Sequence, residues 1–263
     1  DDLNLLANKT ATVLGGLGIK HGDRVALLMN NSIEYVALFY GAAKLGLSVI
    51  PLNTRLTASE LSFILSDSGT NVLIYDAEFA ATVAEIKVGE DHPLTVATYL
   101  QTSDKDVEGE ACLKDLLEAA SDREPDIQGG DDDNLFIMYT SGTTGLPKGV
   151  VHTHESIMWA GLCWASTVEV GYKDRLLMPL PMFHVAALTG VLFCSVRGVT
   201  LVSMPDFDPS EFWKLIVDEK ISIGASVPAI LNFMRQVPEF AELDAPDFRF
   251  FITGAAPMPE TLT

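Results

Sequence analysis

The sequence predicts an α/β protein with mainly parallel sheets. Short apolar segments that suit strands alternate along the chain with segments in which apolar residues recur at helical spacing. Hydrophobic residues make up 48% of the 263 residues, which fits a large soluble core. A chain of this length is expected to form one or two domains.

Each element of the first half has a local signal in the sequence. Gly46 is a typical helix stop, and the pair Thr57 and Glu60 has the spacing of a capping box that opens a helix. Residues 101–134 are acidic and rich in turn formers, which predicts a boundary between a first αβ subdomain, 1–130, and a second, 131–263. We predict helices at residues 3–17, 32–45 and 113–119, and strands at residues 24–29, 48–52 and 71–75.

The second half continues the alternation. The apolar run from Leu135 to Met138 is typical of a buried strand. Asp208, Pro209 and Glu211 have the pattern of an N-cap, a first helical position and a first-turn acid. We predict a helix at residues 154–166 and strands at residues 221–226 and 248–253.

Charge and cysteine content argue against several classes of function. The net charge of −19 disfavours nucleic acid, which is bound through Lys and Arg contacts to phosphate. Three scattered cysteines without metal-ligand spacing favour a reduced, cytoplasmic compartment. No apolar stretch reaches the roughly 20 residues of a membrane span. Residues 1–134 carry a net charge of −14 and residues 135–263 one of −5, so the second half repels ATP less.

A loop rich in glycine and hydroxyl groups directly follows the strand at Leu135. Residues 139–149 read Tyr-Thr-Ser-Gly-Thr-Thr-Gly-Leu-Pro-Lys-Gly. Glycines let backbone N–H groups turn toward an anion, and Ser and Thr hydroxyls add donors. Lys148 adds a mobile positive charge. The segment is therefore a candidate phosphate cradle.

Two other nucleotide-binding motifs do not match this loop. A P-loop needs a second glycine five positions after the first, but Pro147 stands there counting from Gly142, and Val150 counting from Gly145. No dinucleotide-binding glycine motif opens a helix in the first fifty residues. The alternative of a flexible linker fits poorly, because a linker would not lie directly against a buried strand.

The loop from Thr140 to Gly149 resembles the signature loop of acyl-adenylate-forming enzymes, which include acyl-CoA synthetases, luciferases and peptide-synthetase adenylation domains. Residues 179–184 resemble the segment that acyl-CoA synthetases place beside the acyl pocket, and residues 253–258 resemble the turn that holds adenine. Residues 134–263 most resemble long-chain and very-long-chain fatty acyl-CoA ligases of the mycobacterial type. The resemblance implies two flavodoxin-like, mainly parallel sheets flanked by helices, as the incomplete N-terminal part of an enzyme whose C-terminal domain is absent here.

The resemblance also implies a two-step reaction with ATP, Mg²⁺ and CoA. A carboxylate attacks the α-phosphorus of ATP, giving acyl-AMP and pyrophosphate, and the CoA thiol then displaces AMP. Thr143 would be the hydroxyl near Mg²⁺. The residues implied to hold the β- and γ-phosphates are Thr140, Ser141, Gly142, Thr143, Thr144, Gly145 and Lys148. Those implied to face adenine are Gly254, Ala255, Ala256 and Pro257, although a turn without a ligand is an alternative.

His184 discriminates between classes of acid. Peptide-synthetase adenylation domains carry an aspartate at this position, which neutralises the ammonium group of an amino acid. A pocket without that carboxylate offers no partner to a buried ammonium, which favours a plain carboxylic acid. We place His184 beside the substrate carboxylate or as a gate, the alternative being a hydrogen-bonded core histidine. The predicted acyl pocket, for which core packing is the alternative, consists of Phe183, His184, Val185, Ala187, Leu188, Ser226, Val227 and Pro228.

The sequence therefore predicts a long-chain fatty acyl-CoA ligase with Lys148 and His184 as catalytic residues. Two alternatives stay open: an aryl-acid CoA ligase of the coumarate type, and a nucleotide-binding module without turnover. The second is kept because the family's acidic Mg²⁺ ligand and C-terminal catalytic lysine do not occur in these residues. A peripheral membrane contact also stays open, because long-chain substrates partition into bilayers. The oligomeric state is not indicated.

Overall fold

The computed structural model describes residues 2–89, 92–102, 110–140, 145–238, 240 and 244–259. The chain divides into two compact units, with the division between Ile157 and Met158. Each unit contains one sheet, of seven and of four strands, and parallel pairing predominates in both. The predicted fold class, two mainly parallel sheets flanked by helices, is confirmed.

The first unit is built on the seven-stranded sheet, whose order is β5-β4-β3-β1-β2-β6-β7. Its strands are Arg24–Leu28 (β1), Ser48–Pro51 (β2), Val72–Tyr75 (β3), Thr98–Gln101 (β4), Ala111–Cys112 (β5), Asn134–Thr140 (β6) and Lys148–Thr153 (β7). Its helices are Asp2–Gly16 (α1), Ile33–Lys44 (α2), Ala58–Asp67 (α3), Ala80–Val88 (α4) and Leu113–Ala119 (α5), and His154–Thr167 (α6) begins in this unit.

Local signals begin the helices of the first unit as expected. The hydroxyl of Ser32 accepts a hydrogen bond from the backbone N–H of Tyr35 and caps α2. The predicted capping box is confirmed, since Thr57 and Glu60 exchange side chain to backbone hydrogen bonds at the start of α3. Helices α1 and α2 meet closely at Gly41, where an added Cβ would lie 1.9 Å from the hydroxyl oxygen of Thr10.

Strands β6 and β7 belong to the first sheet. β6 pairs in parallel with β2, with Phe136 opposite Val49, and β7 pairs with β6 in antiparallel orientation. The acidic segment that suggested a boundary at residue 130 is therefore followed by two more strands of the first sheet. The compact division at Ile157 and Met158 does not coincide with the predicted ranges 1–130 and 131–263.

The second unit contains a four-stranded, entirely parallel sheet in the order β11-β10-β8-β9. Its strands are Arg175–Met178 (β8), Thr200–Ser203 (β9), Ile223–Ser226 (β10) and Phe250–Thr253 (β11). Its helices, after the end of α6, are Val185–Arg197 (α7), Pro209–Asp218 (α8) and Pro228–Met234 (α9). Helix α8 begins as predicted: the carboxylate of Asp208 accepts from the backbone N–H of Glu211, with Pro209 at the first position.

The two sheets share one strand order. Strands β2-β1-β3-β4 of the first sheet match strands β9-β8-β10-β11 of the second, and the connecting helices α2 and α4 correspond to α7 and α9. This is the order of a flavodoxin-like sheet, in which successive strands are added on one side of the first strand and then, from the third strand on, on its other side. The first sheet adds β5 at one edge and the β6–β7 hairpin at the other.

The match extends to the residues that begin the first strand of each unit. Asp23 accepts a hydrogen bond from the backbone N–H of Lys20 at 2.7 Å, and Asp174 accepts one from Gly171 at 2.9 Å. The arginine after each aspartate donates its backbone N–H to a side-chain oxygen 47 residues later, on Asn71 for Arg24 and on Ser222 for Arg175. The same local device therefore fixes the amino-terminal edge of both sheets.

Candidate functional site

The predicted phosphate loop is the turn of the β6–β7 hairpin. The antiparallel register places Thr140, the last residue of β6, opposite Lys148, the first residue of β7. Both residues are exposed. Gly145, between them, has a φ of 103°, which favours glycine. The predicted residues Ser141, Gly142, Thr143 and Thr144 lie outside the described residues.

The hairpin below the loop is fixed by close packing. An added Cβ on Gly149 would lie 2.8 Å from Cγ2 of Ile137 and 3.2 Å from Cζ of Tyr139, so only glycine fits without a shift. The hydroxyl of Tyr139 donates to the carboxylate of Asp67 at 2.6 Å. Burial and this hydrogen bond raise the pKa of Tyr139. Strand β7 is therefore packed closely against β6 directly after Lys148.

The histidines beyond the loop have structural surroundings. The ring of His152 lies 4.7 Å from the ring of Phe136, and burial lowers the pKa of His152, which keeps it neutral at pH 7. Burial also lowers the pKa of His154, although Asp133 and Asp131 act in the opposite direction. Within the described ranges no three His, Cys, Asp or Glu side chains are grouped as a metal site.

The remaining predicted site residues follow the carboxyl ends of three parallel strands in the second unit. Residues 179–184 follow β8, residues 226–228 end β10 and begin α9, and residues 254–257 follow β11. Because β8, β10 and β11 are parallel neighbours, these segments leave the sheet at the same edge. The carboxyl edge of an open parallel sheet is where such folds bind ligands.

His184 occupies the N-cap position of α7. Its backbone N–H donates to the carbonyl of Pro181 at 3.0 Å, and its carbonyl accepts from Ala187 and Leu188. Its side chain forms no capping hydrogen bond. The imidazole is exposed and lies 4.6 Å from the ring of Phe183, measured between centroids. A core histidine, the alternative, is therefore not what the structure contains.

The predicted acyl-pocket residues divide into two groups. Ala187 and Leu188 are fully buried in α7, and the helix packs closely on β8, because an added Cβ on Gly190 would lie 2.5 Å from Cε of Met178. The residues that border the carboxyl edge are Phe183, Val185, Ser226, Val227 and Pro228, of which Val185 is 46% exposed.

The predicted adenine turn is an exposed and strained segment. Gly254, Ala255, Ala256 and Pro257 are all exposed directly after β11. Ala255 has a φ of 67°, in the left-handed region that costs a residue with a Cβ about 1 kcal/mol. Strained backbone tends to persist where a ligand contact needs it. The adenine contact of this turn stays a prediction.

An apolar cavity in the second unit was not predicted from the sequence. It has a volume of about 240 Å³ and lies between α8, α9 and β11. The indole N–H of Trp213 donates to the carbonyl of Met234 at 2.8 Å and fixes one wall. Its aromatic residues are far apart in sequence, so no local motif marks it. The lining residues are Trp213, Leu231, Met234, Arg235, Phe240, Phe251, Thr253 and Met258.

A flavodoxin-like fold with three predicted site segments at the carboxyl edge of one sheet and a glycine-containing hairpin on the other is typical of nucleotide-binding α/β proteins. A sequence model described as "AMP-binding enzyme" matches residues 1–263. The chain therefore belongs to the AMP-binding enzyme family.

Relatives and solved structures agree with this membership. The chain is 62% identical over 260 residues to the long-chain-fatty-acid–CoA ligase FadD13 of Mycobacterium tuberculosis, covering 99% of this chain and 50% of that protein. An inhibitor-bound N-terminal domain of FACL13 from the same organism matches with a TM-score of 0.93 at 61% identity, covering 99% of this chain and 64% of that one.

The fold is also shared with a solved structure of lower sequence identity. The anthranilate CoA ligase AuaEII, in complex with anthranoyl-AMP, matches with a TM-score of 0.93 at 26% identity, covering 99% of this chain and 50% of that one. The chain spans about half the length of the curated relatives it matches. Among the helices of the described ranges, none combines the length and apolar composition needed to cross a bilayer.

Proposed function

We propose that the protein to which this chain belongs activates a long-chain fatty acid with ATP and transfers the acyl group to CoA. The observation that carries the proposal is the 62% identity to the long-chain-fatty-acid–CoA ligase FadD13 over 99% of this chain. Identity at this level, spread over both units, is expected to preserve the pocket as well as the fold. ATP, the fatty acid and CoA are then the ligands of the protein.

In this function the β6–β7 hairpin holds the nucleotide phosphates. Lys148 is exposed at the base of the loop and opposite Thr140, so its ammonium can reach an anion bound by the loop. The proposed contribution of Lys148 is to neutralise charge that develops on phosphate oxygens during attack by the carboxylate. Hydroxyl and backbone N–H groups of the loop would donate further hydrogen bonds to the same oxygens. The residues proposed to supply them are Ser141, Gly142, Thr143 and Thr144.

By the family resemblance Mg²⁺ would lie beside the hydroxyl of Thr143, which is outside the described residues. The ion binds proteins through few ligands and completes its shell with phosphate oxygens and water, so one hydroxyl and one acid suffice, and the family's acid does not occur in these residues. When bound, Mg²⁺ would supply positive charge at the phosphates. The residues of this chain then retain the task of holding the triphosphate in place.

The second unit is proposed to hold the substrate carboxylic acid and the adenine ring of ATP. Gly254, Ala255, Ala256 and Pro257 face adenine, and the exposed His184 lies beside the carboxylate or controls passage between the acyl and nucleotide sites. Val185 and the end of β10 border the alkyl chain. The 240 Å³ apolar cavity near β11 is a further place for methylene groups, because its lining is mostly aromatic and aliphatic.

The test uses the whole protein with ATP, Mg²⁺ and CoA. Acids from acetate to very long chains, coumarate and amino acids are supplied in turn, and mass spectrometry follows AMP, acyl-AMP and acyl-CoA. We expect acyl-CoA formation to rise with chain length. If acyl-CoA formation is highest with coumarate, the protein is an aryl-acid ligase instead. If it binds ATP but forms no AMP with any acid, it is a nucleotide-binding protein without turnover.

The aryl-acid alternative is less well supported. A feruloyl-CoA synthase of Amycolatopsis is 33% identical over 261 residues, which is about half the identity to FadD13. We further propose a cytoplasmic protein without nucleic-acid partners, as the cysteine pattern and the acidic charge indicate.

A further inference from the structure

The strand order of the first unit creates a crevice outside the proposed acyl-CoA site. Strand β1 connects through α2 to β2 on one side, whereas β3 connects through α4 to β4 on the other. Neighbouring strands whose connections diverge leave a gap at their carboxyl ends, and open α/β sheets bind ligands there. A cavity of about 450 Å³ occupies this position, and none of the predicted phosphate, adenine or acyl residues lines it.

We propose that this cavity is a second small-molecule site, for an amphipathic organic acid that also carries a hydroxyl or ammonium group. Three chemical features of the wall define this class: a fixed carboxylate, the ammonium of a partly buried lysine, and an apolar surface. Each comes from a different part of the unit, and they converge on one cavity.

The fixed carboxylate is that of Asp76, directly after β3. One oxygen accepts a hydrogen bond from the backbone N–H of Asn30 after β1, and the other accepts from the hydroxyl of Thr102 after β4, both at 2.8 Å. These bonds orient the carboxylate but leave lone pairs on both oxygens. In the described part of the chain no Lys or Arg pairs with Asp76. A ligand hydroxyl or ammonium group is the complementary donor.

The ammonium is that of Lys9 on α1. Lys9 is half-buried in the wall of the cavity and forms no hydrogen bond or ion pair with the residues that the structure describes. A ligand carboxylate would supply the opposite charge that this ammonium does not find among the described residues. Lys9 therefore defines the anionic end of the ligand.

The apolar surface is supplied by Met29 at the end of β1 and by Leu113 and Leu117 on α5. All three are at least 92% buried, so they form a dry wall. The charged residues at the rim, Glu34, Lys114 and Glu118, are exposed, and water and salt screen such charges. The interior of the cavity, rather than its rim, therefore determines which ligand fits.

The second unit supports this assignment by its topology. Its strand pair β8 and β10 corresponds to β1 and β3, and the segments assigned to the acyl site leave the sheet at that position. One strand order thus presents the same kind of crevice twice, with different side chains around it. The first crevice has a carboxylate and an amine where the second has Phe183, Ser226 and their neighbours.

The test is calorimetric titration of the whole protein, with the acyl-CoA site filled by a non-reactive acyl-adenylate analogue. Four probes share a phenyl group and a short chain: phenylalanine, 3-phenyllactate, 3-phenylpropanoate and phenethylamine. The third lacks the hydroxyl or ammonium donor, and the fourth lacks the carboxylate. We expect phenylalanine or phenyllactate to bind at least about tenfold more tightly than the last two, and the better of them tells whether the donor is ammonium or hydroxyl.

Two variants assign the preference to the wall. Asp76→Asn is expected to reduce the advantage over phenylpropanoate, because the acceptor loses its charge, and Lys9→Met is expected to abolish the advantage over phenethylamine. Lys20→Met, at an exposed lysine of the same unit that does not line the cavity, is the matched control and should change nothing. If Asp76→Asn fails to fold, the loss of the preference over phenethylamine in Lys9→Met alone tests the proposal. No binding of any probe, equal affinity for all four, or preferences unchanged in the variants would overturn the proposal.

Discussion

Helix α2 of the first unit begins at Ser32, whose hydroxyl caps the helix, whereas the corresponding helix α7 of the second unit begins at His184, whose side chain forms no cap. At the opposite edge of the sheets the two units agree closely, with Asp23 and Arg24 matched by Asp174 and Arg175. The amino-terminal edge of this fold is thus a repeated scaffold. The carboxyl-terminal edge is where the units differ, and His184, whose side chain does not cap its helix, is a candidate for function there.

The largest effect is expected in the hairpin, which the second sheet lacks. Lys148→Ala should lower the rate of acyl-AMP formation by about 100-fold or more, because removing one donor to developing charge typically has this effect. The measurement is pyrophosphate release with a saturating fatty acid. Lys173→Ala, at an exposed lysine in the second unit, is the control. An unchanged rate in Lys148→Ala would show that the hairpin does not hold the phosphates.

The repeated aspartates should differ in their contribution to stability. The carboxylate of Asp174 accepts hydrogen bonds from Gly171, Ser222 and Arg249, whereas that of Asp23 accepts one from the backbone N–H of Lys20. We expect Asp174→Ala to lower the free energy of unfolding by about 2–3 kcal/mol and Asp23→Ala by about 1 kcal/mol. Urea denaturation of both variants measures the difference, and equal losses would contradict the assignment.

The pH dependence of the same pair sharpens this comparison. Burial raises the pKa of Asp174, but hydrogen bonds from Ser222, Gly171 and Arg249 outweigh burial and hold the pKa below its ordinary value of 3.8. A carboxyl with a depressed folded pKa stabilises the protein above its unfolded pKa and ceases to do so as pH falls through the folded value. The stability difference between wild type and Asp174→Asn should therefore narrow below about pH 4. A constant difference down to pH 3 would contradict this.

His184→Asp should change stability and activity in opposite directions. Aspartate is a strong N-cap residue, so α7 should gain about 1 kcal/mol. The new carboxylate would repel the substrate carboxylate, and fatty-acid turnover should fall at least about tenfold. His184→Asn, which caps without a charge, is the matched control and should retain more turnover. Unimpaired fatty-acid use by His184→Asp would mean that His184 does not lie beside the carboxylate.

The smallest effect is expected at the capped helix of the first unit. Ser32→Ala removes the acceptor for the N–H of Tyr35 and should lower the free energy of unfolding by about 1 kcal/mol. Thermal unfolding compares this variant with Ser59→Ala, at an exposed serine of the same unit. An equal shift in both variants would mean that the cap does not stabilise α2.

Local signals predicted elements better than they predicted sheets. The capping box at Thr57, the Asp208 cap and the helix at residues 113–119 are confirmed, because each depends on residues within a few positions. The membership of β6 in the first sheet depends on pairing with Val49, far away in sequence, and no local pattern contains that information. Strands β4, β8 and β9 were not predicted, and their length does not explain this, because the predicted strands β2, β3, β10 and β11 are also four residues long.

The candidate site shows the same division. The loop of residues 140–149 and the segments around His184 and Ala255 could be proposed from the sequence because each is contiguous, and their roles stay predictions. The two cavities could not be predicted from the sequence, because the wall of each combines residues from several elements. Asp76, which directly follows a predicted strand, is the residue whose position could have indicated the first cavity.

The apolar cavity of the second unit has a fluorescent residue, Trp213, in its wall. Trp213 is 4% exposed, and its indole N–H is held by the carbonyl of Met234, whereas Trp159 is 60% exposed. An apolar guest near β11 would alter the emission of the buried indole far more than that of the exposed one. A fatty acid brominated along its chain would quench Trp213 according to the position of the bromine, so fluorescence could trace how deeply a chain enters the protein.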